Sequence, residues 1–90
     1  MALEIVWSSQ FKRDYKRAKR QGADLSRLED VIKLLVSGQA LAARYRDHPL
    51  TGNRKGYREC HIQPDWLLLY RIEGNELQLI ETGSHADLFG

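Results

Sequence analysis

The spacing of apolar residues changes period once along this chain, and that change limits the fold more than any other feature. Up to residue 38 the period is helical. Phe11, Tyr15 and Ala18 recur at i, i+4 and i+7, and Leu28, Val31, Ile32 and Leu35 share one face of a second helix. From Tyr57 onward apolar and polar residues alternate, the pattern of strands with one buried face. A short leading segment, Leu3–Trp7, also alternates, with Leu3, Ile5 and Trp7 on one side, and reads as a first strand.

Punctuating residues set the boundaries. Ser8 or Ser9 can cap the first helix, which runs to about Gln21, and Gly22 stands where a left-handed C-terminal residue belongs. Asp24, or the capping-box spacing Ser26-Arg27-Leu28-Glu29, starts the second helix, and Gly38 ends it. The short connection predicts an antiparallel helical hairpin. Residues 39–56 are irregular, and the stretch from Asp47 to Gly56 has the Pro, Gly and Asn of a loop. Tyr57–Ile62, Trp66–Ile72 and Glu76–Ile80 are the remaining strands, turned by Pro64-Asp65 and Gly74-Asn75. The order β-α-α-β-β-β predicts an α+β fold: an antiparallel sheet with the two-helix hairpin packed on one face, in a single domain over residues 1–90.

Composition narrows the setting. With 42% hydrophobic and 29% charged residues, the chain is globular rather than disordered. Its longest apolar run, Leu67–Tyr70, is far short of the ~18 residues of a membrane span. The first twenty residues hold six Lys/Arg but no apolar signal-peptide core, and the single cysteine, Cys60, excludes an internal disulfide framework. The expectation is a soluble cytoplasmic protein with no membrane partner. The net charge of +2 conceals an asymmetry: thirteen Lys/Arg face six Asp/Glu through residue 58, and one faces six after it. A basic front of that kind suits a polyanionic partner.

The three histidines, His48, His61 and His85, lie in a loop, near a strand end and just past the last strand. In a meander, the end of one strand, the turn after it and the exit of the third strand share an edge. That edge would gather His61, Asp65 and His85, with the His48 loop folded over them. Singly, each histidine reads better as a surface or hydrogen-bonded residue; together with Asp65 they form a candidate proton-transfer site. A zinc set of His48, Cys60, His61 and His85 lacks any paired-ligand spacing, and Cys60 and His61 point to opposite faces of a strand, so no metal or other cofactor is expected. Alternation also turns Cys60 toward the core, away from nucleophilic use.

Metal-free RNA hydrolysis needs a base for the ribose 2′-OH, an acid for the leaving 5′-oxygen and cations for the phosphorane. His and Asp can fill the first two roles, and Arg54, Lys55, Arg58 and Arg71 are candidates for the third. Trp66 or Phe89 could stack on a base, although Trp66 also reads as a core residue opening a strand. Basic helix 1 could track a nucleic-acid backbone.

Three blocks carry a resemblance. Tyr45-Arg46-Asp47-His48-Pro49-Leu50-Thr51-Gly52, then Lys55–Trp66 with its His61-Ile62-Gln63-Pro64-Asp65-Trp66, then Thr82-Gly83-Ser84-His85-Ala86-Asp87-Leu88-Phe89-Gly90, resemble the YafQ-type toxins of the RelE/ParE superfamily in order, spacing and overall length. The resemblance implies a curved antiparallel sheet with two helices packed on it. It implies a ribosome-dependent mRNA interferase of a type II toxin–antitoxin pair, cutting mRNA in the A site and neutralised by a cognate antitoxin whose complex binds operator DNA. Position by position it implies that His48, His61, Asp65 and His85 are catalytic, with Trp66 and Phe89 in support. His85 is then expected as general acid, Asp65 or His61 as base, and His48 and His61 around the scissile phosphate. Some relatives carry a basic residue just before the Thr-Gly of the last block. Glu81 stands there in this chain, which moves the expected phosphate contact to Arg71 or Arg58. The alternatives are a non-enzymatic inhibitor of DNA gyrase of the ParE kind, which needs no histidine cluster, and an inactive antitoxin-binding module.

Overall fold

A computed structural model describes residues 2–90. Its elements are β1 (Glu4–Trp7), α1 (Ser9–Arg20), α2 (Leu25–Val36), β2 (His48–Pro49), β3 (Arg58–Gln63), β4 (Trp66–Glu73), β5 (Glu76–Gly83) and α3 (His85–Phe89), with short helical turns at Ala43–Tyr45 and Gly52–Arg54. The α+β class and the succession of β1, α1, α2, β3, β4 and β5 match the expectation, and β2 and α3 are additions to it. Ser8 caps α1 by accepting the Phe11 N–H at 2.9 Å and also donates to the Ile80 carbonyl at 2.7 Å, tying the helix start to β5. Of the two possible caps for α2, Asp24 is the one used, and it accepts from Ser26 N. No helix among the described residues is long and apolar enough to cross a membrane.

The sheet has five strands in the order β1-β5-β4-β3-β2 and departs from the expected antiparallel arrangement at one edge. β1 runs parallel to β5, with Glu4 opposite Glu76 and Trp7 opposite Leu79. A parallel neighbour needs a crossover connection, and everything between the two strands supplies it, α1 turning straight back over β5. At the opposite edge, His48 and Pro49, expected in a loop, form a two-residue strand against Glu59 and Arg58. An edge is where a proline's missing N–H is tolerated.

β5 runs through Gly83, beyond the expected end at Ile80, because a bulge rephases it. Leu69 pairs with Glu81 and Tyr70 with Leu79, so Ile80 is the extra residue. After it the alternation inverts, turning Thr82 to the helix side and Glu81 to the other.

The two faces of the sheet differ in kind. On the helix side Phe11, Leu28, Val31, Ile32 and Leu35 pack against Cys60, Ile62, Trp66, Leu68, Tyr70, Leu77 and Leu79. The other face holds only a small cluster, Leu67, Leu69 and Leu88, with Leu50 and Ile80 beside it. Leu88 comes from α3, which lies outside the sequence reading. Ser84 and Asp87 close a reciprocal capping box that starts this five-residue helix. The remainder of that second face is open, and the histidines stand on it.

Candidate functional site

Strand alternation puts Glu59 and His61 of β3 on the open face, and β2 lays His48 directly opposite Glu59. His61 Nε2 lies 3.3 Å from Glu59 Oε1, and that carboxylate is buried. His85, in the first turn of α3, brings its ring centroid to 5.6 Å from that of His61, at 63° between planes. Asp65, in the β3–β4 turn, completes the row. Its Oδ1 accepts both the His85 backbone N–H at 3.1 Å and His85 Nδ1 at 2.8 Å. That bond assigns the ring proton to Nδ1 and leaves Nε2 free. It also holds the Asp65 carboxyl below the usual carboxylate range.

A buried polar chain fixes the two segments that carry Asp65 and His85. Asp14, inside the apolar stripe of α1, accepts Thr82 N at 3.1 Å and Gln10 Nε2 at 2.8 Å and pairs with Arg17 at 3.4 Å. Thr82 Oγ1 accepts the Trp66 indole N–H at 2.9 Å and donates to the Leu67 carbonyl at 2.7 Å. Asp65 immediately precedes Trp66, and His85 follows Thr82 by three residues. Arg17 extends the chain to α3 through Asp87 at 3.6 Å and to the Thr82 carbonyl at 3.2 Å.

The structure therefore brings His48, His61, Asp65 and His85 into one row and adds Glu59. The signal for Glu59 was its place two residues before His61 on the same strand face. The expected substrate contacts are treated less evenly. Trp66 is a correction: its ring is buried at 8% exposure and its N–H is committed to Thr82, which leaves no free face for a base. Arg58 is another, since it alternates with His61 onto the opposite side of β3, where Asp47 and Tyr70 hold its Nε, each at 3.3 Å. Arg71 shares the open face but stands roughly 13 Å along β4 from the residue opposite His61. There its guanidinium lies over the Tyr57 ring and bonds Gln78 at 3.0 Å. Arg54 pairs with Glu81 at 3.0 Å, donates to the Leu88 carbonyl at 2.8 Å and lies over the half-exposed Phe89 ring. Glu81 thus anchors a cation beside α3. Lys55 is exposed on the loop before β3.

Cys60 lies in the helix-side core, and burial pushes its thiol up to about 12. The zinc set that includes it is not assembled. A different set is: the ligand atoms of His48, Glu59 and His61 all lie within 4.8 Å of one another. Two imidazoles and a carboxylate suit zinc or copper.

A sequence profile described as the bacterial toxin of type II toxin–antitoxin systems, YafQ, matches residues 3–90. The mRNA interferase toxin YafQ of Escherichia coli strain K12 is 41% identical over 88 residues, covering 97% of this chain and 96% of that protein. The crystal structure of the E. coli DinJ–YafQ toxin–antitoxin complex superposes at a TM-score of 0.92 with 40% identity, covering 100% of both chains. A metal-bound toxin from Helicobacter pylori superposes at 0.91 with 45% identity, over 97% of this chain and 99% of that one.

Proposed function

Because this chain belongs to the YafQ family of bacterial toxins of type II toxin–antitoxin systems, we propose that it acts as an endoribonuclease on mRNA held in the ribosomal A site. The observation that carries the reading is the row His48–Glu59–His61–His85–Asp65 on an open sheet face. Two of its three imidazoles, on separate elements, are each backed by a carboxylate, His61 by Glu59 and His85 by Asp65.

In the proposed reaction the ribose 2′-OH attacks the adjacent phosphate. Its proton passes to His61, with Glu59 beside the ring to steady the charge that arrives. As the bond from phosphorus to the 5′-oxygen breaks, His85, which enters the step as the imidazolium with its Nδ1–H on Asp65, passes its Nε2 proton to the leaving oxygen, and the products are a 2′,3′-cyclic phosphate and a 5′-OH. Asp65 serves as the positioning carboxylate for His85 rather than as base, because its bond to Nδ1 holds it below the usual carboxylate range and so makes it a poorer proton acceptor. His48 faces the phosphate, and Arg54, held by Glu81, is the neighbouring cation that can answer the charge of the phosphorane. Phe89, exposed beside it, is the remaining surface on which a base can stack.

The outward cations of α1, Lys12, Arg13, Lys16, Lys19 and Arg20, are proposed to lie against ribosomal RNA, and the protein to act in the cytoplasm. The E. coli relative was crystallised with its antitoxin DinJ, and a cognate antitoxin is proposed here too, carrying the toxin to operator DNA.

Primer extension on an mRNA translated in a purified system, with wild type and His85→Ala, tests the reading. In-frame cuts that require both ribosomes and His85 are expected. Arrest of replication without any cut would point instead to inhibition of DNA gyrase.

A further inference from the structure

β2 covers only Arg58 and Glu59, so β3 from His61 to Gln63 is a free sheet edge. The helical turn Ala43–Tyr45 and the α2 face carrying Arg27 and Asp30 stand around that edge. Together they enclose an open cleft of about 490 Å³. A volume in the ~300–1,000 Å³ range is that of a small-ligand pocket rather than a surface dimple. His61 forms part of its wall, so the cleft reaches the strand edge that carries one residue of the histidine row.

Its lining is cationic. Arg27, Arg44 and Arg46 face one carboxylate, Asp30. Arg27 is already paired with Asp24 at 3.6 Å, whereas Arg44 and Arg46 form no ion pair among the described residues. Arg44 places its guanidinium over the Tyr45 ring at 4.7 Å from the centroid and donates to the Tyr45 hydroxyl at 2.8 Å. The outer face of that guanidinium, stacked on a ring that itself packs against the core, suits a nucleobase. Arg46 has φ +49° and ψ +44°, a left-handed conformation that side chains other than Gly and Asn adopt at a cost. The chain turns there and two residues later delivers His48 to β2, so a single turn positions the unpaired guanidinium and the histidine together.

We propose that this cleft is the subsite for the mRNA nucleotide next to the scissile phosphate, with Tyr45 and Arg44 as the base platform and Arg46 on the phosphate. The proposal rests on the ribonuclease reading above. It assigns nucleotide selection to residues 44–46, outside the histidine row.

The test is single-turnover cleavage on ribosomes programmed with an mRNA whose A-site codon is randomised. Wild type is compared with Arg44→Ala, Tyr45→Ala and Arg46→Asn, the last chosen because Asn tolerates the left-handed backbone. The toxin concentration at half-saturation should rise about tenfold for Arg46→Asn, the loss of one charge-assisted hydrogen bond, and by a similar factor for Arg44→Ala, the loss of a stacking surface, with the saturating rate nearly unchanged. The codon spectrum should broaden most in Tyr45→Ala. On the codon that wild type cuts best, an abasic nucleotide on the 5′ or the 3′ side of the cut should weaken wild type, yet add nothing to the Arg44→Ala, Tyr45→Ala pair. Variants that cut with unchanged half-saturation and codon spectrum overturn the proposal, as does an abasic penalty that persists in the pair. If wild type itself makes no cuts, it is the ribonuclease reading that fails.

Discussion

Asp14 of α1 accepts the backbone N–H of Thr82 at 3.1 Å, although the two residues belong to different layers and are 68 positions apart. The bond takes a carboxylate of 2% exposure into the apolar stripe of a helix, where it also holds Gln10 and Arg17. Removing it strands a buried amide and leaves Arg17 with only Asp87 at 3.6 Å as an ion-pair partner, so the desolvation penalty falls mainly on the Thr82 N–H. Asp14→Ala is therefore expected to lower stability by about 2–4 kcal/mol, read as a fall in melting temperature on the order of 10–20 °C. Equal urea midpoints for the variant and wild type would refute that role.

Gly83 should be as sensitive for a different reason. A Cβ there would lie 2.9 Å from Asp87 Oδ2, 3.0 Å from Asp87 Cβ and 2.9 Å from Arg17 Nη2. Arg17 can swing away, but Asp87 belongs to the capping box of α3 and moves only with the helix. Gly83→Ala is expected to displace α3 and, with it, His85. Cleavage should fall at least about tenfold, within the loss seen when a general acid is misplaced, while the sheet melts cooperatively. A Gly83→Ala protein with full cleavage would show that α3 need not be held in register.

What could be read from sequence, and what could not, divides by range of interaction. Ser8, Asp24 and Gly22 announce their helix ends because capping is settled within four residues. The histidine row was legible because three histidines and Asp65 fell at strand ends and turns, and hairpin order alone brings such positions to one edge. Glu59 was passed over: an acidic residue alternating with core positions looks like a solvated face until β2 is known to lie opposite it. The parallel β1–β5 pair was equally hidden, being a contact between the two ends of the chain. The same holds for Asp14, which breaks a helical stripe for the sake of an amide 68 residues away. Trp66 shows the reverse error, a residue with two readings whose core role is settled only by the buried Thr82 hydroxyl that accepts its N–H.

Acid should loosen the structure through identifiable carboxylates. The His85 side chain holds Asp65 below its usual range, the Ser84 backbone N–H does so for Asp87, and the Ser26 hydroxyl does so for Asp24. A carboxyl whose value is lower folded than unfolded adds stability above the unfolded value of ~3.9 and loses it as pH falls through the folded one. Thermal stability should thus be steady from pH 7 to about 5 and decline below about 4. An Asp65→Asn, Asp87→Asn variant should be less stable near neutrality and show a shallower acid decline. Parallel curves for the two proteins would mean that these bonds do not set the acid limb.

The cluster of His48, Glu59 and His61 makes an opposite prediction for metals. Its ligand atoms lie within 4.8 Å of one another, close enough for one ion to gather all three, and a related H. pylori toxin has been crystallised with bound metal. In the proposed chemistry His61 must keep a lone pair for the 2′-OH proton, and coordination takes that lone pair away. Zinc or copper should therefore inhibit cleavage. A chelator selective for transition metals, which leaves ribosomal Mg²⁺ in place, should restore it. Glu59→Gln replaces the anionic ligand with a neutral amide and should raise the inhibitory metal concentration roughly ten- to hundredfold. Metal should bind one equivalent per chain by calorimetry, and His48→Ala should weaken it comparably. Stimulation of cleavage by the same ions, or loss of activity on adding the chelator to untreated protein, would mean that the cluster works as a catalytic metal site and that the acid–base scheme is wrong.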